Sequence, residues 1–252
     1  MRPAPVVLVA LALACGRTAD KPAASADSAP APAAAAGPRA IVTVIYLQPK
    51  DTAAFEKYYR EVHLPLVSGG QGEIGFTTAE LTKFVSTLDG KEPTFYRQAE
   101  LYFGSMDDLR KGTATPAFKK VGDDLANFAT GGLIAMIATE TGEESPAACR
   151  ALVTVIYEHP KDHAVFERYY ADTHLPLVSA GQGEIGFVRA DLTKFESNLD
   201  GSPAAKYRQA ELCFESSEAV AKGTATPAFK KVGDDLANFA SGGLTALIGV
   251  QQ

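Results

Sequence analysis

From residue 41 onward, short β-branched runs alternate with segments whose apolar residues recur every three or four positions. Residues 41–46 read IVTVIY, a compact run that is typical of a buried strand. Asp51 then opens a helix as its N-cap, with apolar residues at helical spacing after it. Because Pro65 disfavours helical geometry in the residue before it, we expect this helix to end near His63.

Two further strands follow a glycine-rich stretch. Residues 68–75 read SGGQGEIG, and so many glycines predict a loop rather than a helix. Residues 76–88 and 96–103 alternate apolar and polar side chains, with the turn signal Asp89-Gly90 closing the first run. We therefore predict an antiparallel pair of strands.

Helix-capping residues mark the rest of the unit. Ser105 and Thr115 each precede a short helical segment. Gly131-Gly132 ends the second of them, and the apolar run of residues 133–138 is a last strand. The predicted order is β-α-β-β-α-β, the ferredoxin-like plan, which places both helices on one face of an antiparallel sheet.

The same pattern occurs a second time. Residues 111–129 and 222–240 are identical, and residues 41–141 align with 152–252 without a gap. So long a period makes each copy a small domain rather than a solenoid repeat. We predict an α+β chain of two ferredoxin-like domains, with residues 40–140 as the first domain, 141–151 as the linker and 152–252 as the second domain.

The two domains are predicted to close one barrel. In the strand of residues 96–103, Ala99, Leu101 and Phe103 suit the side that the helices cover. The opposite face is too polar for a simple core and too apolar for open solvent, so it needs a partner sheet. The second copy supplies that sheet, and we expect one intramolecular eight-stranded barrel, a pseudo-dimer within a monomer. The side chains predicted to point inward are Tyr96, Gln98, Glu100 and Tyr102.

The N-terminus reads as an export signal and a tether. Residues 1–15 combine Arg2 with an apolar run that ends at Cys15, as in a secretory signal peptide. The end of the run, ALAC, resembles a bacterial lipoprotein box, in which the cysteine is acylated. Residues 16–39, rich in Ala, Pro and Ser, predict a disordered stalk. We expect a lipid anchor at Cys15 on the periplasmic side of a membrane in the bacterial cell envelope; plain secretion is the alternative.

Charge and cysteine content narrow the classes of partner. The net charge of −6, without long blocks of one sign, argues against a nucleic-acid partner. Cys149 and Cys213 stand at non-equivalent positions of the two copies. We therefore expect two ordinary thiols, and a bridge between them is the alternative if the compartment is oxidising.

Three stretches resemble the EthD family of the dimeric α/β-barrel superfamily. They are residues 58–66 (YYREVHLPL), 99–103 (AELYF) and 124–132 (DLANFATGG), with matching stretches in the second copy. The resemblance implies two ferredoxin-like units in one barrel and a small protein that handles hydrophobic organic molecules, often as an oxidoreductase. The glycine-rich segment of residues 69–76, and its mate at 180–187, are longer than the usual family turn, so no family substrate is carried over.

His63 and His174 are the best candidates for chemistry, because a histidine titrates near neutral pH and suits acid–base catalysis. Each follows two tyrosines at the predicted end of a helix. The alternative is structural, since a protonated histidine at a helix C-terminus is favoured by the dipole and caps free carbonyls. For Asp124 and its mate Asp235, with Asn127 and Asn238, helix termination is favoured over ligand contact.

Glu100 and Glu211 lie in the middle of strands, on the predicted inward face. A carboxylate there is costly unless it is paired, so each either orients a substrate or forms a structural pair, with Lys83 or Arg97 as possible partners. We expect at most one tyrosine of each copy to contact a ligand. The residues predicted to bind it, beside the apolar Ile45 and Ile156 of the barrel, are Gln98, Gln209, Tyr58, Tyr59, Tyr96, Tyr169, Tyr170 and Tyr207.

These observations predict an enzyme without a cofactor. The sequence has no HExxH, H-x-H or CxxC motif, so we expect no metal, and its glycines do not fit a nucleotide-binding turn. Haem on His63 or His174 is an analogy with the superfamily alone. The predicted function is a cofactor-independent oxidoreductase that acts on a small hydrophobic molecule in the barrel; the alternative is a lipid-anchored module that only binds such a molecule.

Overall fold

Eight strands form one closed barrel in the computed structural model, which describes Met1 and residues 38–142 and 148–252. The strand order around the barrel is β1-β3-β2-β8-β5-β7-β6-β4, and each pairing is antiparallel. The strands are β1 (Arg39–Leu47), β2 (Thr78–Thr87), β3 (Phe95–Phe103), β4 (Leu133–Gly142), β5 (Ala151–Tyr157), β6 (Arg189–Asn198), β7 (Arg208–Phe214) and β8 (Leu244–Gln251).

The two copies close the barrel on each other. Strands β1–β4 form the sheet of the first copy and β5–β8 that of the second. The copies are joined by the pairs β2–β8 and β4–β6. The predicted intramolecular barrel of two ferredoxin-like units is therefore confirmed.

The helices pack on the outside of the barrel, against the face of each sheet that carries Val42, Leu101 and Phe103 or their mates. Ser105 and Thr115 cap their helices as predicted, each accepting a hydrogen bond from a backbone N–H of the first turn. The helices are α1 (Thr52–Tyr58), α2 (Leu64–Ile74), α3 (Met106–Thr113), α4 (Pro116–Asp124), α5 (His163–Tyr169), α6 (Leu175–Ile185), α7 (Ser217–Thr224) and α8 (Pro227–Asp235).

The first helix does not end at His63, and that prediction was wrong. A π-helical turn, Tyr59–His63, joins α1 directly to α2, and the helix runs on to Ile74. The wider turn restarts the α-helical hydrogen bonding at Leu64, so that Pro65 stands in a first turn, where its missing N–H is tolerated. The second copy has the same turn at Tyr170–His174.

The glycine-rich segment is helical rather than a loop, which is a second correction. Tertiary contacts outweigh the cost of about 1 kcal/mol per helical glycine. Gly70 lies so close to Ile74 and Ala117 that a larger side chain would crowd them, and Glu73 accepts a hydrogen bond from the Ala117 backbone N–H at 3.0 Å. Gly75, with φ of 82°, then ends the helix in the left-handed conformation.

The inside of the barrel is filled by side chains. Ile45 and Ile156 belong to a buried apolar cluster with Phe84, Phe95 and Met136. Tyr96 does not point inward as predicted. The β1–β3 register shifts at Leu47, and Tyr96 turns to the helix side, where its hydroxyl donates to Glu56 at 2.6 Å. Its mate Tyr207 likewise donates to Glu167.

Cys149 and Cys213 form a disulfide, so the prediction of two free thiols was wrong. The bridge ties the segment before β5 to β7, with Cα atoms 5.4 Å apart. The Arg150 N–H also donates to the Phe214 carbonyl at 2.9 Å, which fixes that segment beside the strand. Cys15, residues 2–14 of the signal peptide and residues 16–37 of the stalk lie outside the described residues, and Arg39 belongs to β1. Among the helices that the structure describes, none is long and apolar enough to cross a membrane.

Candidate functional site

In each copy, a buried histidine–aspartate pair links the π-helical turn to the end of the later helix, α4 or α8. His63 is 3% exposed, and its Nδ1 lies 2.8 Å from Oδ2 of Asp124 at the end of α4. In the second copy, His174 Nδ1 lies 2.8 Å from Asp235 Oδ2. A carboxylate can only accept a hydrogen bond, so Nδ1 carries the proton and donates it.

The π-helical turn and an aromatic cluster hold the histidine in place. His63 closes the turn in the middle of a helix, so the alternative of a helix-end cap is wrong. Its ring stacks on Tyr59, with centroids 5.6 Å apart, and packs on Phe128 at 4.7 Å. His174 packs in the same way on Tyr170 and Phe239.

The imidazole is neutral at neutral pH and the carboxyl group is ionised. Burial lowers the pKa of His63 and of His174, and the aspartate only partly offsets this effect. Burial alone would raise the pKa of Asp124, but hydrogen bonds from His63, Tyr58 and Asn127 outweigh it and hold that pKa below its ordinary value. The resulting pair is a neutral imidazole oriented by a carboxylate, with Nε2 as an available base.

Each histidine stands in the wall of an apolar cavity between the helices and the outer face of the sheet. The cavity of the first copy has a volume of about 590 Å³ and that of the second about 460 Å³. Since Nδ1 is held by the aspartate, Nε2 is the ring nitrogen available to a molecule in the cavity. The wall of the first cavity includes Val42, Val44, Tyr46, Tyr59, Val67, Gln71, Ala99, Leu101, Val121 and Leu125.

The two cavities are similar but not identical. His174, Tyr157, Tyr170, Gln182 and Ala210 repeat the wall of the first copy. The cavities differ at their polar positions, because Arg60 lines the first cavity and Arg189 lines the second.

Glu100 and Glu211 lie on the other face of the sheet from these cavities. Ala99 and Leu101 line the first cavity, so Glu100 between them points into the barrel, where it is 2% exposed. Glu211 is buried there with Gln98 and Gln209. The expectation of one site in the barrel, shared by His63 and Glu100, is therefore wrong: the structure separates the histidine from the glutamate.

The predicted tyrosines divide into three roles. Tyr59 and Tyr170 line the cavities. Tyr58 and Tyr169 donate hydrogen bonds of 2.8 Å to Asp124 and Asp235, and so help to hold the aspartate of each histidine–aspartate pair in place. The third pair, Tyr96 and Tyr207, is engaged by glutamates of the helices. Contact of any of these residues with a ligand stays a prediction.

The aspartates and the cavity tyrosines Tyr46 and Tyr157 are missing from the residues predicted for the site. One signal does point to Asp124. A carboxylate in the last turn of a helix is disfavoured by the dipole, so an aspartate at that position suggests a hydrogen-bonding partner. Within residues 38–142 and 148–252, no group of three or more histidine, cysteine, aspartate or glutamate residues could hold a metal ion.

Comparison with known proteins finds the same domain twice. The EthD domain matches residues 47–132 and again 158–243. An uncharacterized 11.0 kDa protein from the thcB–thcC intergenic region of Rhodococcus erythropolis is 39% identical over 95 residues, which cover 38% of this chain and 88% of that protein.

Two solved structures are similar to this chain to different extents. An EthD family protein from Bacillus halodurans is 28% identical, covering 39% of this chain and 95% of its own, with a TM-score of 0.36. An anthrone oxidase-like protein is 15% identical and covers 85% of this chain and 91% of its own, with a TM-score of 0.55. At that identity, the second likeness shows the fold alone.

Proposed function

The chain belongs to the EthD family and carries the family's domain twice, and on that premise we propose that it is an oxidoreductase-type enzyme for small hydrophobic molecules, with one site in the helix–sheet cavity of each copy. The observation that carries the proposal is the histidine–aspartate pair in the wall of each apolar cavity. A neutral imidazole beside a bound apolar molecule can remove an acidic O–H or C–H proton.

In the proposed reaction, the protein removes a proton and the substrate transfers electrons to dioxygen. His63 or His174 accepts the proton on Nε2, while Asp124 or Asp235 stabilises the imidazolium that forms. The deprotonated substrate then passes its electrons to dioxygen as co-substrate, and we propose that no cofactor is required. Anthrone is a suitable test compound, because it is an apolar three-ring molecule with an acidic C–H. One dioxygen would convert its methylene group into a carbonyl and release one water molecule.

A binding role without turnover is the second candidate. It is favoured by the mainly apolar walls of both cavities, which suit an apolar ligand whether or not the histidine moves a proton. The two candidates share the cavity and differ in whether the histidine moves a proton.

Occupation of the cavities is tested with N-phenyl-1-naphthylamine, a neutral apolar dye whose fluorescence rises in apolar surroundings. We expect two binding sites in each chain. Ala99→Trp should weaken one of them and Ala210→Trp the other by about tenfold or more, since the added rings fill wall space that the dye needs. Titration of dye fluorescence measures both affinity and stoichiometry.

The matched control is Ala53→Trp, on the exposed side of α1. It should retain both sites. Undiminished binding at two sites in a folded Ala99→Trp/Ala210→Trp variant would place the dye elsewhere and contradict the proposal.

We also propose that the protein is exported and held by a lipid on Cys15, with plain secretion as the alternative. The disulfide supports an oxidising compartment, because such bridges persist mainly outside the cytosol. Several acyl chains on Cys15 would hold the protein firmly, whereas a single chain binds only reversibly.

Changing Cys15→Ser should therefore move the protein from the membrane fraction to the soluble fraction of cells that process lipoproteins. Fractionation followed by immunoblotting measures the shift. Equal membrane association of the variant and the wild type would exclude the anchor, and a soluble wild type would favour plain secretion.

A further inference from the structure

The two copies exchange hydrogen bonds in the middle of the barrel. Gln98 of the first copy donates through Nε2 to Glu211 Oε1 of the second at 3.3 Å, and Gln209 donates in the same way to Glu100 Oε1 at 3.3 Å. All four side chains belong to residues that are 3% exposed or less. This reciprocal pair lies on the opposite face of the sheet from the cavities, so the inference does not depend on the proposed function.

The amide oxygens of both glutamines lack a donor. Gln98 Oε1 and Gln209 Oε1 are buried without a hydrogen-bond partner in the part of the chain that the structure describes. Leaving a buried acceptor unpaired is costly, and native proteins rarely do it. Exchanging the oxygen and nitrogen positions of either amide does not give the oxygen a donor. The oxygen would then face a carboxyl group, which can donate only when it is protonated.

The barrel contains more carboxyl groups than cations. Arg39 lies 2.5 Å from Glu140 and 3.8 Å from Asp191, and Arg189 contacts Asp191 and Glu80 at 2.7 and 3.3 Å. Neither arginine forms an ion pair with Glu100 or Glu211 among the described residues. Glu80 is directly opposite Glu100 across the β2–β3 pair, and Asp191 is opposite Glu211 across β6–β7, so ionised side chains would repel there. The other groups near the two glutamates are Glu140, Thr43, Tyr102 and Thr154.

We propose that Glu100 and Glu211 are protonated carboxylic acids at neutral pH, that their O–H groups donate to the unpaired amide oxygens of Gln209 and Gln98, and that these acid–amide bridges form a lock between the copies that weakens as pH rises. In Glu211, Oε1 already accepts hydrogen bonds from Gln98 and Thr154, which leaves Oε2 to carry the proton. Each bridge then has two hydrogen bonds, one in each direction.

Burial and neighbouring carboxyl groups act in the direction that the lock requires. Burial first, and then Asp191 and Glu140, raise the pKa of Glu211 to about 8. Burial and then Glu211 raise the pKa of Glu100 well above its ordinary value. Because the folded pKa is above the unfolded one, the Glu211 bridge stabilises the fold fully below about pH 4.5, and its contribution is lost as pH rises through about 8; the Glu100 bridge changes in the same direction.

The test compares wild type with Glu100→Gln/Glu211→Gln, which keeps a neutral donor and acceptor at any pH. Raising the pH from 5 to 9 should increase the unfolding equilibrium constant of the wild type at least about tenfold more than that of the variant. Denaturant unfolding at each pH measures both constants. Glu196→Gln, on the exposed face of β6, is the matched control and should behave as wild type.

Infrared spectroscopy reports the protons directly, and its pH titration is made on the wild type. The wild type should show a protonated-carboxyl band at pH 6 that decreases as pH rises through about 8, and the band should be smaller in Glu211→Gln. Absence of the band at pH 6, or an equal pH dependence of wild type and double variant, would overturn the proposal. Stability that depends on sodium or potassium, relative to choline, would also overturn it, because a bound cation would then satisfy the amide oxygens.

Discussion

Replacing both cavity histidines, in the variant His63→Gln/His174→Gln, is expected to lower oxygen-dependent turnover of anthrone by roughly 10²–10⁴-fold. Glutamine has nearly the size of histidine but no basic nitrogen, so the variant keeps the cavities and loses the proton acceptor. Each single variant should keep about half of the activity, since the copies have similar sites. Oxygen uptake by protein purified without added metal or cofactor measures the rate.

Two controls separate chemistry from structure. The double variant should bind N-phenyl-1-naphthylamine as tightly as the wild type and melt at nearly the same temperature. Asp124→Asn/Asp235→Asn should also lose activity while it binds the dye, because an amide in place of the carboxylate lets the imidazole turn its proton toward the cavity.

The pH dependence follows from the lowered pKa of the histidines. Burial favours the neutral base, so protonation requires a pH below the ordinary value of about 6.5. The rate should hold at pH 6.5 and fall as pH decreases further. A fully active double-glutamine variant would exclude the histidines as bases, and no oxygen uptake by wild type with anthrone or with hydroquinones would favour the binding role.

Removing the disulfide is expected to lower the free energy of unfolding by about 4 kcal/mol. The bridge joins cysteines 64 residues apart, and closing a loop of that length restricts the unfolded chain by about this amount in the chain-entropy account. The variant is Cys149→Ser/Cys213→Ser, which avoids leaving one unpaired thiol in the barrel wall. Guanidinium unfolding under non-reducing conditions measures the change.

Cys15→Ser is the matched control for that experiment, since it removes the third cysteine and leaves the bridge intact. It should unfold at the wild-type midpoint. Wild type in reducing agent should shift toward the double-serine variant. If the midpoints of wild type and double-serine variant coincide, the bridge does not stabilise the fold.

The strands could be predicted from sequence because each depends on a local pattern, whereas the long helix could not. Proline and glycine usually mark the end of a helix, so they predict that this helix ends after His63. Here a π-helical turn moves Pro65 into a first turn, and contact of α2 with Ala117 of α4 compensates for the glycines. The first effect depends on one unusual turn. The second depends on a contact between residues about 50 positions apart in the chain.

The site could be predicted in its residue types but not in its location. The chemistry of their side chains makes His63 and Tyr59 candidates, and the cost of burying a charge makes Glu100 one. Alternation along β3 places Glu100 inside the barrel, but no local pattern shows that the helices leave a cavity on the opposite face. The aspartate that binds His63 comes from another helix, 61 residues later, so only the fold brings them together.

The disulfide was missed for a similar reason. Cys213 stands where the first copy has Tyr102, and Cys149 belongs to the segment before β5, so the repeat itself gives no hint of a pair. They meet because that segment continues alongside β7. The disulfide could be predicted only from the path that the chain follows between the two copies.

We propose that the ligand site of each copy lies between the helices and the sheet, beside the histidine, and not inside the barrel. A crystal structure of the protein with N-phenyl-1-naphthylamine tests it most directly. We expect dye density in both cavities, in contact with the rings of His63 and His174 and with Ala99 and Ala210. Dye density inside the barrel near Glu100 and Glu211, with both cavities empty, would contradict it.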